Sequence, residues 1–297
     1  MSYFLIGNIS ALISDDCIEP LANARIRVYL PEAGYQAAQA DVDRFRDLCE
    51  LTEKEVLLKA DRLLAETRLD EDGSFNLEWE QLHLFTEPLE LDLCLDQVPG
   101  KSAGRRLRRQ FNMSRLVPHW KRSKTGYLAA FAYVVPAAQW SDIREQAGAW
   151  VIAGTVKHHH SQEGQAKLKV EAYSAFNGQL LGTAFTNEYG RYKLHFSRKD
   201  LSAGVLMPVM HGRSNAGPDI YFKIYRNNKL VLAENDQASS SANRQCITPC
   251  TRIHLTYKPS VVKRASRHIA SWLHSFMASP GAKLNSQRYL VKDYPQV

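Results

Sequence analysis

The sequence predicts a mainly β protein made of two successive β-sandwiches, the first of which carries a helical insertion. Three observations lead to this prediction. A chain of 297 residues is long enough for two domains with separate cores, one pattern of short strands and turns occurs twice, and few segments have helical periodicity. The hydrophobic fraction of 44% and the charged fraction of 23% are typical of a globular protein and exclude collagen-like and wholly disordered chains.

The strands of the repeated pattern are predicted from the alternation of apolar and polar residues. Residues 24–28 alternate Ala, Ile and Val with two arginines, and residues 167–172 alternate Leu, Val and Ala with Lys and Glu. A period of two indicates a strand with one buried and one solvated face. We align Arg27 with Lys169, which places the two strands at the same point of the repeat.

A turn with Asx and glycine residues follows in each copy. Residues 70–73 are Asp-Glu-Asp-Gly and residues 187–190 are Asn-Glu-Tyr-Gly, and both turns are followed by an aromatic residue and a leucine. Glycine adopts positive φ without steric cost, and Asx side chains hydrogen-bond to the turn backbone. We therefore expect Gly73 and Gly190 to lie in equivalent hairpins.

These motifs resemble those of the transthyretin-like, or carboxypeptidase-regulatory-like, sandwich domain. The resemblance rests on the run Pro-Leu-x-x-Ala-x-Ile-x-Val at residues 20–28 and on the two Asx–Gly–aromatic turns, and it covers residues 3–98 and 149–257. It implies two Greek-key β-sandwiches, the first assigned to residues 1–100. Members of this family are mostly accessory, adhesive or adaptor modules, so the resemblance also implies protein partners rather than catalysis.

Residues 217–224 additionally resemble a segment of such domains in bacterial toxin and secretion assemblies. The expected function is therefore a non-enzymatic adaptor or structural component of a bacterial multiprotein assembly of the toxin, secretion or injection type. The sequence contains no apolar stretch long enough to span a membrane and no recognisable secretory signal. We therefore expect a cytoplasmic protein, either on its own or within a larger assembly.

The helical insertion is predicted for residues 36–66, which contain no glycine or proline and place apolar residues at heptad-like spacing. Thr52-x-x-Glu55 is a capping box that would split the segment into two helices. A single helix is favoured because no turn-forming residue lies at the break. Its apolar stripe either packs on the first sandwich or binds a partner. The candidate contact residues are Phe45, Leu48, Val56 and Leu63.

Residues 101–148 are predicted to form a basic linker packed between the sandwiches, with a short helix at residues 140–144. Residues 101–126 contain nine Lys and Arg and no acidic residue, whereas residues 1–100 have 8 Lys and Arg against 21 Asp and Glu. We therefore expect the linker to contact the acidic first domain. The scarcity of aromatic residues and the lack of a nucleic-acid-binding motif argue against a nucleic-acid partner. The candidate contact residues are Arg105, Arg106, Arg108 and Arg109.

Residues 258–297 are predicted to form an amphipathic helix followed by a tail. Apolar side chains recur on one face between residues 260 and 277, with basic side chains beside them. Docking on this protein's own surface, a groove on a partner protein and a membrane surface all fit this pattern. The candidate contact residues are Trp272 and Phe276.

A histidine cluster supports the alternative function, a metal-dependent hydrolase or oxygenase. His158 and His160 would share one face of a strand, which suits two metal ligands, but no third ligand is recognisable. A solvated hairpin end is therefore the favoured interpretation. The common hydrolase and nucleotide-binding motifs do not occur in the chain. We assign no catalytic residue, no cofactor and no metal site, and these two histidines are the only metal candidates.

Overall fold

The computed structural model describes residues 1–32, 48–80, 88–100, 109–202, 217–234 and 239–258. Residues 1–257 form one compact unit. The predicted C-terminal helix, with Trp272 and Phe276, lies outside the described residues. Within the described part of the chain, strands dominate and the helices are short, so the prediction of a mainly β protein is confirmed.

Residues 1–135 contribute two sheets that face each other, which we call the first sheet pair. Their strands are β1 (Ser2–Ser14), β2 (Cys17–Pro20), β3 (Arg25–Tyr29), β4 (Cys49–Glu50), β5 (Leu63–Arg68), β6 (Ser74–Glu80), β7 (Leu89–Leu95), β8 (Arg109–Leu116), β9 (Lys121–Arg122) and β10 (Tyr127–Val135). One sheet has the order β2–β1–β10–β9, with β6 also paired to β1, and the other has the order β4–β8–β7–β3–β5. Both sheets contribute to one core, which includes Leu5, Ile26, Leu91 and Met113.

Residues 149–257 contribute the second sheet pair. Its strands are β11 (Ala149–His158), β12 (Lys169–Ser174), β13 (Leu180–Phe185), β14 (Arg191–Ser197), β15 (Ile220–Arg226), β16 (Lys229–Ala233), β17 (Cys250–Arg252) and β18 (Leu255–Tyr257). One sheet has the order β14–β11–β17, with β18 also paired to β11, and the other has the order β13–β12–β15–β16. A separate core lies between these sheets and includes Trp150, Val170, Leu194 and Phe222.

The described residues form three short α-helices, which are α1 (Glu53–Leu58), α2 (Ala137–Ala147) and α3 (Arg198–Ser202). Helix α2 connects the two sheet pairs, and it includes the helix predicted at residues 140–144. Its C-terminus is closed by Gly148, whose N–H donates to the carbonyl of Glu145 at 2.9 Å. No helix in the described part of the chain is long and apolar enough to cross a membrane.

The two sheet pairs have the same strand arrangement around their longest strand. Strand β1 pairs in parallel with β10 and antiparallel with β6. Strand β11 pairs in parallel with β17 and β18 and antiparallel with β14. In the facing sheets, β3 lies between β5 and β7, and β12 lies between β13 and β15. The longest strand of each pair therefore has one parallel and one antiparallel edge.

Gly73 and Gly190 lie in equivalent turns, but these turns are not hairpins. Strands β5 and β6 belong to facing sheets, as do β13 and β14, so each turn is a corner that carries the chain across the core. The two glycines have φ values of 75° and 73°, and their carbonyls accept the N–H of Ile9 and Val156, both at 2.8 Å. The predicted hairpin pairing is wrong because the strand after each turn joins the opposite sheet.

The register between the two halves differs by two residues from the predicted alignment. Asn23 and Lys167 both have positive φ (65° and 57°), and both donate their N–H to the residue just before the corner turn, at 3.3 and 3.0 Å. Lys169 therefore corresponds to Arg25 rather than to Arg27. A shift of two residues keeps every side chain on the same face of a strand, so the alternation pattern cannot detect it.

The predicted basic linker is wrong in its described part. Residues 109–135 form β8, β9 and β10, of which β8 pairs with β7 and β10 pairs with β1. Phe111 and Met113 lie in the first core, so alternate residues of the basic run are core residues of a strand. The connection between the sheet pairs is α2 alone. The other basic candidates lie outside the described residues, namely Arg105, Arg106 and Arg108.

The predicted single helix across residues 36–66 is also wrong in its described part. Cys49 and Glu50 form β4, α1 ends at Leu58, and β5 begins at Leu63. The alternative break at Thr52 is confirmed by a capping box, in which Thr52 Oγ1 accepts the Glu55 N–H at 3.3 Å and the Glu55 carboxylate accepts the Thr52 N–H at 2.7 Å. Residues 33–47, which include Phe45, lie outside the described residues.

Candidate functional site

A covered face of the first sheet pair holds a cluster of charged side chains. In β7, Leu91 and its alternate neighbours lie in the core, so Glu90 and Asp92 point to the other side of the sheet. That side is buried as well, because the two carboxylates are only 3% and 0% exposed. The segment around α1 covers them, and Lys59 at its C-terminal end reaches over β7. We call Lys59, Glu90, Asp92, Gln110 and Asn112 the Asp92 cluster.

The carboxylate of Asp92 is the centre of this cluster. Lys59 Nζ lies 2.8 Å from its Oδ1 and 2.6 Å from its Oδ2. Asn112 Nδ2 donates to Oδ1 at 2.9 Å, and Gln110 Nε2 donates to Oδ2 at 2.7 Å. Each oxygen of this fully buried carboxylate thus has two donors, which offsets the cost of removing it from water.

Glu90 places a second carboxylate beside the same ammonium. Its Oε1 lies 3.2 Å from Lys59 Nζ, and guanidinium nitrogens of Arg62 and Arg115 lie 3.4 and 3.2 Å from its carboxylate oxygens. The ring of Tyr29 flanks the ammonium, with Nζ 4.7 Å from the ring centre. The cluster therefore holds one primary amine between two carboxylates in a place from which water is excluded.

The Asp92 cluster is not predictable from the sequence pattern. Leu-Glu-Leu-Asp-Leu at residues 89–93 is the alternation of a strand with one solvated face, and the pattern of residues 36–66 predicts a helical Lys59. Only the fold brings Lys59 over a strand 33 residues along the chain. The only sequence feature that could indicate the cluster is the insertion in the first half of the chain. An inserted segment that packs on its own domain covers one face of a sheet, and polar residues on that face then become buried.

The second sheet pair presents a different surface on the equivalent face. We call the side chains of sheet β13–β12–β15–β16 that point away from the core the tyrosine face. It includes Lys169, Glu171, Tyr173, Leu180, Phe185, Tyr221, Lys223, Tyr225 and Leu230. Phe185, Leu230 and Leu180 are 69%, 53% and 44% exposed. Large apolar side chains are therefore in contact with water on this face.

Tyrosine and lysine side chains stack on one another at the centre of the tyrosine face. Tyr173 and Tyr221 are cross-strand neighbours with ring centres 5.3 Å apart, and Lys223 Nζ lies 4.4 Å from the centre of the Tyr173 ring. Glu171 accepts the Tyr173 hydroxyl at 2.6 Å and pairs with Lys169 at 2.7 Å. Burial and the hydrogen bond to Glu171 raise the pKa of Tyr173. Lys223 has no carboxylate within ion-pair distance among the described residues.

The tyrosine face does have a sequence signal. Residues 220–225 alternate core side chains with Tyr221, Lys223 and Tyr225, and residues 169–173 do the same with Lys169 and Tyr173. Two aromatic and basic strands of this kind predict an aromatic outer surface once they are known to be neighbours. The pairing of β12 with β15 supplies that information.

A buried carboxylate joins the two sheet pairs. Glu19 of β2 is 2% exposed, and its Oε2 lies 2.6 Å from Nη2 of Arg144 and accepts Nε1–H of Trp140 at 3.0 Å. Its Oε1 lies 2.8 Å from Nε2 of His195 in β14. Burial raises the pKa of Glu19, but the hydrogen bond with His195 and the charge of Arg144 outweigh it and lower the pKa to about 2. Glu19 therefore connects β2 of the first sheet pair to α2 and to β14 of the second sheet pair, and we call this group of contacts the joint between the sheet pairs.

His158 and His160 lie together at the end of β11, with ring centres 5.8 Å apart. Nδ1 of His158 accepts the backbone N–H of His160 and of Ser161, each at 3.3 Å. The His158 ring therefore stabilises the turn that follows β11 through these two hydrogen bonds. Groups of three or more residues that could hold a metal ion do not occur among the described residues.

The remaining candidate contact residues are not brought together in one site. Leu48 is half-buried against the first core, Val56 is half-buried, and Leu63 is 42% exposed. Arg109 forms an ion pair with Glu50 of β4. The structure thus uses Leu48 and Arg109 to hold the described part of the insertion on the first sheet pair.

Comparison with known proteins gives no family for this chain. No protein-family model matches it, and no curated protein matches it in sequence. Among solved structures, the Bacillus anthracis TIE protein is 10% identical over 88% of this chain and 34% of that chain, with a TM-score of 0.25. The shaft pilin SpaA from Lactobacillus rhamnosus GG is 6% identical over 88% of this chain and 98% of that chain, with a TM-score of 0.28.

The dioxygenase domain of a carbohydrate-binding fusion protein from Streptomyces sp. SirexAA-E is 12% identical over 46% of this chain and 79% of that domain, with a TM-score of 0.25. The chain spans about a third of the length of the Bacillus protein. TM-scores this low carry no inference about function.

Proposed function

We propose that this chain is a non-enzymatic binding protein that acts as an adaptor or structural component of a multiprotein assembly. The tyrosine face is its contact surface. One observation carries this proposal, which is that Leu180, Phe185 and Leu230 are exposed on one face of the four-stranded sheet β13–β12–β15–β16. An exposed apolar patch that is interspersed with polar groups is typical of a protein–protein interface.

The layout of the tyrosine face suits a flat protein partner. Phe185, Lys169, Tyr225 and Leu230 lie side by side across the four strands, so this row spans roughly 15 Å at the usual strand spacing. Tyrosine supplies a large contact area at a small cost in side-chain entropy. The ammonium of Lys223 adds a polar contact for an acidic group on the partner.

The contrast with the first sheet pair supports the same conclusion. There the equivalent face carries the buried Asp92 cluster and is covered by the segment around α1. In the second sheet pair the equivalent connection, between β12 and β13, is only the turn at residues 175–179. Among the described residues, no segment comparable to that around α1 covers this face, so Phe185, Leu180 and Leu230 are exposed at its edges while Glu171 and Tyr221 at its centre are buried (6% and 8% exposed).

We further propose that the two sheet pairs are tandem Greek-key sandwiches of the transthyretin-like type. The matching neighbours of β1 and β11 and the matching corner turns support this proposal. The resemblance of residues 217–224 supports a bacterial assembly of the toxin, secretion or injection type as the context, with the protein acting in the cytoplasm. An experimental structure in which residues 1–135, without the insertion, and residues 149–257 fail to superpose would refute the tandem arrangement.

The contact surface can be tested by co-purification from the native source with quantitative mass spectrometry. The test variant is the full chain with Phe185→Ser and Leu230→Ser. The matched control is Leu57→Ser with Leu58→Ser, which removes two leucines of α1 that are 74% and 69% exposed. We expect the test variant to recover at least about tenfold less partner than the wild type, because loss of a buried apolar anchor costs more than about 1.4 kcal/mol.

The control variant should recover the same amount of partner as the wild type. Loss of the partner from the control alone would place the interface on α1 and overturn the proposed surface. Equal recovery by all three proteins would equally contradict it. Circular dichroism of each variant confirms that the sheets are intact before the comparison is made.

A further inference from the structure

The Asp92 cluster has the geometry of a reactive site as well as that of an ion pair. Lys59 Nζ is in contact with both oxygens of Asp92, at 2.8 and 2.6 Å, and the two side chains are 6% and 0% exposed. Groups held in contact by the fold react as if at very high concentration. A dry site also keeps out the water that would hydrolyse a condensation product.

The neighbours of Asp92 are placed to activate its carboxyl group. Asn112 Nδ2 and Gln110 Nε2 donate to its two oxygens at 2.9 and 2.7 Å. Amide donors in such positions stabilise the negative charge that develops on oxygen when a nucleophile adds to the carboxyl carbon. Glu90 Oε1 lies 3.2 Å from Lys59 Nζ, which is within reach for proton transfer.

We propose that Lys59 and Asp92 are a modification site, at which they condense into an intramolecular isopeptide bond with Glu90 as the proton carrier. The ammonium of Lys59 first gives a proton to the Asp92 carboxylate, which leaves an amine and a carboxylic acid. The amine lone pair then forms the Nζ–Cγ bond. Glu90 takes a proton from Nζ and passes it to the leaving hydroxyl, the Cγ–O bond breaks, and one water is released. No oxidant or reductant takes part.

Two other ion pairs in the molecule lack parts of this arrangement. Glu19 contacts the guanidinium of Arg144, the ring of His195 and the indole N–H of Trp140, none of which is a primary amine. The pair between Lys169 and Glu171 has an amine at 2.7 Å, but the lysine is 34% exposed and no second carboxylate lies within ion-pair distance among the described residues. Lys169 therefore serves as an internal control.

The bond would tie the segment around α1 to the middle of β7. It would close a loop between positions 33 residues apart, so the covered face of the first sheet pair could not open without breaking a covalent bond. This modification is independent of the binding function proposed for the tyrosine face, because it lies on the other sheet pair.

The test is mass spectrometry of the purified full chain under denaturing conditions, followed by peptide mapping. We expect the wild-type protein to be lighter by one water than its sequence requires, with a branched peptide that joins Lys59 to Asp92. Lys169 should be recovered in linear peptides. The variants Lys59→Arg and Glu90→Gln should both have the full sequence mass, the first because it lacks the nucleophile and the second because it lacks the proton carrier.

A wild-type protein that is folded by circular dichroism and retains its full mass after prolonged incubation would overturn the proposal, whatever the variants do. A cross-link that forms equally in Glu90→Gln would also overturn it, because the proposed proton path would then be wrong. If Lys59→Arg does not fold, the branched peptide of the wild type and the mass of Glu90→Gln still decide the matter.

Discussion

The side chain of Glu19 determines part of the pH dependence of this fold. Its pKa is about 2 in the folded chain, whereas a glutamate in an unfolded chain has a pKa of about 4.3. As the pH falls, the unfolded chain therefore binds a proton before the folded chain does. The stabilising contribution of Glu19 is complete above about pH 5 and is lost as the pH falls through 4 towards the folded pKa.

We expect the stability difference between the wild type and Glu19→Gln to narrow as the pH is lowered. At pH 7 the variant should be less stable by about 3 kcal/mol or more, because Arg144 remains buried without its carboxylate. Between pH 5 and pH 2 the wild type should lose about 3 kcal/mol that the variant does not lose. Urea unfolding at a series of pH values measures both quantities. A difference that stays constant over this range would contradict the role given to Glu19.

At the scale of elements, the corner turns are the points where the chain is most restricted. An alanine Cβ at Gly73 would lie 2.4 Å from the Ile9 carbonyl oxygen, and at Gly190 it would lie 2.5 Å from the Gln165 nitrogen. Both contacts are with backbone atoms, which cannot rotate away. At each corner turn, positive φ and a clash with the backbone therefore both oppose replacement of the glycine by a residue with a Cβ.

We expect Gly73→Ala and Gly190→Ala to destabilise the protein by about 3 kcal/mol or more each. The matched control is Gly178→Ala, since Gly178 has a φ of 68° but its nearest neighbour for a Cβ is the Tyr221 hydroxyl at 3.7 Å. This control should cost only the strain of positive φ, about 1 kcal/mol. Urea midpoints compare the three variants. If Gly73→Ala or Gly190→Ala loses no more stability than Gly178→Ala, the turn backbone relaxes to accommodate the Cβ and the prediction is wrong.

The elements that sequence reasoning predicts well are those fixed by local periodicity. The alternation at residues 24–28 and 167–172 predicts β3 and β12, and the Asx–Gly pattern predicts a turn at Gly73 and Gly190. Local pattern does not reveal which strand a segment pairs with. The two turns therefore have the expected backbone but join facing sheets.

The elements that were predicted wrongly are those whose local pattern is overridden by tertiary pairing. Heptad-like spacing predicts a helix that runs past Leu63, yet residues 63–68 pair with β3, and Glu66 forms an ion pair with Arg25 at 3.0 Å. The many arginines near residue 109 predict a linker, yet Phe111 and Met113 fill the core. The candidate sites follow the same rule, because both the Asp92 cluster and the tyrosine face depend on pairings between distant segments.

At the scale of the whole molecule, the corrected boundary changes the charge distribution. The −13 balance of residues 1–100 and the nine cations of residues 101–126 belong to one sheet pair, so residues 1–135 carry a net charge of only −4. Arg109 and Arg115 accordingly pair with Glu50 and Glu90. A deletion of residues 1–100 would remove β4 and β7, which pair with β8, and β1, which pairs with β10, so it would not leave a folded basic fragment.

The joint between the sheet pairs predicts that residues 1–257 unfold as one unit. Ile13 of β1 packs against Val151 and Ala153 of β11, next to the contacts of Glu19. We expect calorimetric and van't Hoff enthalpies to agree for the wild type. Ile13→Asn should separate the transitions by burying an amide in this contact. Leu57→Asn, at an exposed site, should leave one transition. Two resolved transitions in the wild type would contradict this prediction.

The parallel edge of β1 has a mechanical consequence. Nine residues of β1, Tyr3 to Ala11, pair with β10 in parallel, and these are the first and the last strands of the first sheet pair. A chain stretched from its two ends pulls on the start of β1 and on the end of β10 in opposite directions. All hydrogen bonds between the two strands then bear the load together in shear, and none can open before the others as in a zipper. The pairing of β1 with β10 therefore gives the first sheet pair a geometry that resists tension applied between its first and last strands.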